Sequence, residues 1–98
     1  MTTTDKKVPV LLAFGDVLIT PGCEAAFLAA EENPGGYLAR HVHGDWGELS
    51  EDDAALNDRA VQEGRRILSA YLLGDGTKVW VCTEGDRSAT TLLLPSEY

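Results

Sequence analysis

Ninety-eight residues with 44% apolar and 24% charged side chains describe one soluble domain with a single modest core. Eight Lys and Arg stand against sixteen Asp and Glu, for a formal charge of −8; that balance repels a phosphate backbone and disfavours direct nucleic-acid binding. The longest apolar runs, VPVLLAF and ILSAYLL, fall well short of the roughly 20 residues of a membrane span, and MTTTDKKVPV lacks the layout of a signal peptide. The expected location is therefore cytoplasmic.

In chain order, residues 1–7 read as a flexible lead-in to a single domain over 1–98. VPVLLAF and DVLIT, split by Gly15-Asp16, read as one kinked strand or a tight strand pair. TPGCEAAFLAAEEN follows as a helix, with Thr20 as cap, Pro21 at the first helical position, and an apolar face from Ala26, Phe27, Leu28 and Ala30. NPGG at 33–36 is the expected stop. Tyr37, Leu38, His41 and Val42 recur at helical spacing in a short helical segment. Ser50 caps a second main helix, EDDAALNDRAVQEG, with Leu56, Ala60 and Val61 facing the core and Gly64 as its end. The last third changes to strand period. RRILSAYLL, KVWVCTE and ATTLLLP, separated by GDGT and GDRS, predict a three-stranded antiparallel β-meander. Leu68, Ala70, Leu72, Trp80 and Cys82 fall on one face, and Ile67, Tyr71, Val79 and Val81 on the other. The fold class is α+β.

The chemistry-bearing stretch is RHVHGDWGELSEDD. Histidines at i and i+2 share a side on a strand, but the helical pattern here turns them about 200° apart. The i, i+4 pair of helical zinc sites is absent, and a ligand set would have to be completed by carboxylates. His41 therefore reads as a buried, hydrogen-bonded histidine and His43 as a surface one, with no metal and no cofactor. Trp46, between two glycines, either tucks into the core with its indole N–H on an acceptor or serves as an interface anchor. A nucleophile at Ser88 would need a base that only tertiary contact with His41 could supply. An enzymatic alternative would gather His41, Asp45, Glu84, Asp86 and Arg87 into one pocket. No phosphate-cradling or nucleophile-elbow motif is present. Cys23 and Cys82 lack CxxC spacing and read as reduced, packed thiols.

Residues 45–58 hold Asp45, Glu48, Glu51, Asp52, Asp53 and Asp58 with no Lys or Arg. Acids at a helix start favour the dipole; the same surface would attract a basic protein, including one that normally holds DNA. This gives a non-enzymatic expectation, with Trp46, Glu48, Glu51, Asp52, Asp53 and Asp58 as partner-binding residues. A homodimer through the second apolar face or outer edge of the meander is the structural alternative.

Several ordered motifs, RHxxGDWG at 40–47, ND at 57–58, GxRxLSxY at 64–71 and TExDRSxTTxLLPxEY at 83–98, resemble a family of short bacterial proteins. These are often labelled plasmid-related, or attached by name only to type I restriction subunits. The resemblance spans about residues 17–98 and implies a context: cargo of a mobile element, near genes that counter host defence. Taken together with the acidic surface, that context gives the expectation of an inhibitor of a DNA-targeting defence complex, of the anti-restriction or anti-CRISPR type. The family pattern includes His41 and leaves position 43 free.

Overall fold

A computed structural model describes residues 10–98. The order is β1 (Asp16–Ile19), α1 (Pro21–Ala30), α2 (Pro34–Val42), α3 (Glu51–Glu63), β2 (Ile67–Leu72), β3 (Lys78–Thr83) and β4 (Ala89–Leu93), then a 3-10 turn at Pro95–Glu97. Over the described residues the fold is α+β, with three helices and a four-stranded mixed sheet ordered β1-β4-β3-β2.

The antiparallel β2-β3-β4 unit follows the expected turns. Leu72 pairs with Lys78 across GDGT, and Thr83 with Thr90 across GDRS. The sheet departs from a pure meander at its other side, where β1 adds parallel to β4, pairing Asp16 with Ala89 and Ile19 with Leu92. The kinked-strand expectation is correct only from Asp16 onward. Val10 to Phe14 form no strand, although Leu11 N–H donates to Val42 O at 2.7 Å and Leu12 is buried. Gly15 makes the turn into β1 with φ +61, and a Cβ there would overlap the Ser88 carbonyl. The expected lead-in at 1–7, like Val8 and Pro9 of VPVLLAF, lies outside the described residues.

Local capping explains the helices. Thr20 Oγ1 accepts Cys23 N–H at 3.3 Å, and Ser50 Oγ accepts Asp53 N–H at 3.1 Å. Gly64, left-handed at φ +69, ends α3. The Glu97 carboxylate reaches back to the start of α1, accepting from the Thr20 hydroxyl at 2.5 Å and Gly22 N–H at 3.1 Å. A negative charge there favours the helix dipole. NPGG is not only a stop. Glu31, at φ 58, already ends α1; Asn33 caps α2 by accepting Gly35 N–H at 2.7 Å, and Pro34 occupies the first helical position. Proline costs nothing there, because that N–H has no intrahelical acceptor.

The helices cover the sheet face carrying Ile67, Tyr71, Val79, Val81 and Leu92. Cys23, Phe27, Tyr71, Leu73, Val79, Val81 and Leu92 form one cluster; Leu12, Val42, Trp46, Ala60 and Ile67 form the other. Two expected core positions are corrected. Leu28 is 73% exposed and Leu56 56% exposed, while Cys23 and Asn57 are buried in α1 and α3. Asn57 goes inward because α3 packs along the outer edge of β2. Its amide donates to Leu68 O at 2.9 Å and its carbonyl accepts Leu68 N–H at 3.5 Å. Farther along that edge, Ala70 N–H donates to Trp46 O and Ala70 O accepts Glu48 N–H. The β2 edge is thus closed at both residues.

Candidate functional site

His41 sits near the end of α2, wholly buried against the sheet. Its Nδ1 lies 2.6 Å from Ser69 Oγ on β2, and its Nε2 lies 2.8 Å from Thr83 Oγ1 on β3. Thr83 Oγ1 lies 2.7 Å from Thr90 Oγ1 on β4. One polar chain therefore crosses three strands beneath α2, and Ser69, Thr83 and Thr90 are each 0% exposed. Both ring nitrogens have hydroxyl partners, as burial of an imidazole requires. Burial, and then the positive charge of Arg87, push the His41 pKa down to about 4. The imidazole is neutral at pH 7, so one nitrogen donates and the other accepts. Chemically this is a relay of hydroxyls and imidazole closed off from solvent.

The sequence located His41 but not its partners. A signal existed: Ser69, Thr83 and Thr90 fall on the inward period of strands whose other inward residues are apolar. Buried hydroxyls at such positions need partners, and His41 supplies the first two.

The other predicted site residues are not the hydrogen-bond partners of the His41 ring. His43 is turned away from His41, its Nδ1 2.8 Å from Ala39 O. Asp45 pairs with Arg40, Nε to Oδ2 at 2.7 Å, and this bond holds its carboxyl below the usual carboxylate range. The Asp45 carbonyl accepts from Tyr71 OH at 2.6 Å. Asp86 Oδ1 accepts Ser88 N–H at 2.9 Å inside the β3-β4 turn, and with the Ser88 hydroxyl bond this lowers its pKa. Among the described residues Arg87 pairs with no carboxylate. Its guanidinium donates to the carbonyls of Ala60, Arg65, Glu84 and Gly85, tying the end of α3 to the turn. Glu84 contributes backbone bonds on either side of that turn. The pocket imagined for His41, Asp45, Glu84, Asp86 and Arg87 is corrected accordingly: the imidazole is sealed, Asp45 is ion-paired, and the turn residues hold backbone. Among the described residues no group of three or more His, Cys, Asp and Glu is placed to hold a metal ion.

Trp46 as an exposed anchor is likewise corrected. It is 5% exposed, stands edge-on to His41 with centroids 5.9 Å apart, and donates its indole N–H to Asp58 Oδ1 at 2.9 Å. Burying the ring requires an acceptor for that N–H, and Asp58 provides it. Glu48, Glu51, Asp52 and Asp53 remain exposed before and within the first turn of α3, and none forms an ion pair among the described residues.

A cleft of about 360 Å³ opens beside this helix start, lined by Asp53, Leu56 and Asn57 of α3 with Leu49, Arg66, Leu68, Cys82 and Tyr98. Arg66 spans it, donating to Cys82 Sγ at 3.0 Å and Tyr98 OH at 2.7 Å. Desolvation raises the Cys82 pKa against the lowering effect of Arg66, and burial pushes Cys23 up to about 11. Both are free, buried thiols. The exposure of Leu56 and the reach of Arg66 were the features sequence period alone did not reveal.

No helix among the described residues is long and apolar enough to cross a membrane. In comparisons with known proteins, no family model, no curated protein and no solved structure matches this chain.

Proposed function

We propose that this chain is a non-enzymatic binding protein that engages a basic protein surface through the carboxylates at the start of α3. Glu48, Glu51, Asp52 and Asp53 carry the contact. Buried Trp46 and the Asp58 carboxylate that accepts its indole N–H hold the segment in shape. In the context implied by the resemblance, the partner is a DNA-targeting defence complex of the restriction or CRISPR type, whose DNA groove is basic. Occupying that groove would inhibit it.

The observation that carries this reading is the exposure of four carboxylates within six residues, without ion-pair partners among the described residues. Of the other groups weighed as sites, His41, His43, Asp45, Asp58, Asp86 and Arg87 have side-chain partners inside the fold, and Glu84 is bonded through its backbone. A solvated cluster of one sign attracts an oppositely charged surface and speeds its association.

Affinity capture from an extract of the source cells tests this, using the wild type and a combined Glu48→Gln, Glu51→Gln, Asp52→Asn, Asp53→Asn variant. Washes at about 0.1 M and about 1 M salt bring the screening length from about 10 Å to about 3 Å. A basic, nucleic-acid-binding protein is expected on the wild type at low salt, released at high salt and missing from the variant. Urea unfolding of the variant checks that α3 survives loss of its first-turn acids, each worth about 0.3–1 kcal/mol to the helix. Equal capture by a folded variant, or no basic partner at all, overturns the proposal.

A further inference from the structure

The two edges of the sheet are treated differently. Asn57, Trp46 and Glu48 close the β2 edge at Leu68 and Ala70. The β1 edge has no such cover among the described residues. Asp16 N–H and Thr20 N–H donate inward to Ser88 O and Leu92 O of the β4 side. In a parallel pair alternate residues point each way, so Val17 and Ile19 direct their N–H and C=O groups outward. The strand is apolar on both faces: Val17 is 43% exposed and Leu18 54%, with Phe14 just before it 40% exposed. Asp16 is the only charged residue from Val10 to Thr20.

We infer that β1 is a self-association edge, where a second copy pairs antiparallel and continues the sheet from four strands to eight. Three observations select a second copy as the occupant. The formal charge of −8 opposes contact between copies over much of the surface, and the segment around β1 adds only Asp16 to that repulsion. The strand is self-complementary. A two-fold axis perpendicular to the sheet at Leu18 pairs Val17 of each copy with Ile19 of the other, satisfying every outward backbone group of the strand. That register stacks Leu18 on its symmetry mate and sets Asp16 across from Thr20, so the acids do not meet. Centring on Val17 instead would require Gly15 in the ladder, and its left-handed φ of +61 removes it from extended backbone. A four-residue strand buries less than the roughly 1,200–2,000 Å² of stable interfaces, so the dimer is a weak, concentration-dependent one.

Sedimentation velocity across a wide concentration range, at about 0.1 M and about 0.5 M salt, reads this out. The weight-average mass of the wild type should rise from that of one chain toward twice it. The rise should come at lower concentration in high salt, where repulsion is screened; the acidic-surface contact proposed above weakens instead. Leu18→Lys puts a charge on the two-fold axis. Val17→Pro removes an N–H that β1 does not use within one chain. Both should stay at single-chain mass with unchanged circular dichroism. A wild type that remains a single chain throughout, or variants that associate like it, overturns the inference.

Discussion

The buried imidazole makes the stability of this protein depend on pH in a way that can be isolated. In the unfolded chain His41 takes a proton near 6.5, whereas in the fold it does so only at about 4. Between those values the unfolded state binds more protons, so stability rises with pH there. The contribution of His41 is therefore complete above about pH 6.5 and lost as the pH falls toward about 4. Below that, the native state is protonated too and no further loss comes from this residue. At about 1.4 kcal/mol per pH unit, the interval corresponds to about 3 kcal/mol, a large share of the roughly 5–15 kcal/mol that holds a domain of this size.

Urea unfolding of the wild type and of His41→Gln at pH 7.5, 6, 5 and 4 isolates that amount. The carboxylates whose pKa values are held low, Asp45, Asp75, Asp86 and Glu97, also erode stability in acid. They are common to both proteins and cancel in the difference. Glutamine does not titrate, so its constant penalty for imperfect bonding to Ser69 and Thr83 cancels as well. The gap between the two proteins should narrow by about 3 kcal/mol from pH 7.5 to pH 4. Should the variant not fold, the wild-type imidazole proton resonance is expected to hold still down to about pH 5. Parallel curves for the two proteins, or an imidazole that titrates near 6.5 in the folded state, would refute the account of a desolvated His41.

Three further outcomes are expected. Arg87→Ala should lower the unfolding free energy by about 2 kcal/mol, because four carbonyls lose a charged donor; Arg87→Lys should recover little of it, lacking the guanidinium fork. Gly47→Ala should cost at least about 2 kcal/mol in urea unfolding, since φ is +77 and the new Cβ would overlap Ala70 O and the Tyr71 ring. Cys23 and Cys82 should react with iodoacetamide at pH 8 at least about 100-fold more slowly in the native protein than in urea, given their burial and raised pKa values. A fast native phase would show that one of the thiols is accessible.

How far the sequence reveals this fold depends on how local each determinant is. Thr20, Ser50 and Gly64 bound the helices through bonds within one turn, and the two Gly-Asp turns set neighbouring strands in register. Each can be read from a few residues. The pairing of β1 with β4 joins Asp16 to Ala89, and nothing within DVLIT specifies a parallel partner so distant in the chain. NPGG misleads for a different reason. The same proline that cannot continue α1 is suited to begin α2, and only the Asn33 cap tells the two roles apart. Leu56, expected in the core, turns outward and Asn57 turns inward because α3 lies against a strand edge, where an amide that satisfies backbone is worth more than another apolar contact.

The acidic run shows the same dependence on tertiary context. Read as a row, Asp45, Glu48, Glu51, Asp52, Asp53 and Asp58 are six equivalent charges. In the fold they divide by what lies beside them. Asp45 answers Arg40, whose guanidinium also lies over the Tyr71 ring at 4.6 Å, and Asp58 answers the indole of Trp46. Both fix the 45–48 segment against the β2 edge, where Glu48 N–H and Trp46 O close the backbone of Ala70. The four remaining carboxylates are thereby carried on a braced support rather than a loose loop, and a braced charge cluster loses less conformational entropy on binding than a mobile one. Removing the brace should then weaken partner binding without touching a charge: Trp46→Phe, which keeps an aromatic ring but removes the indole N–H and shrinks the side chain, ought to reduce capture while Glu48, Glu51, Asp52 and Asp53 all remain in place. Capture undiminished in a Trp46→Phe protein would mean that the carboxylates act as a diffuse field, independent of the support beneath them.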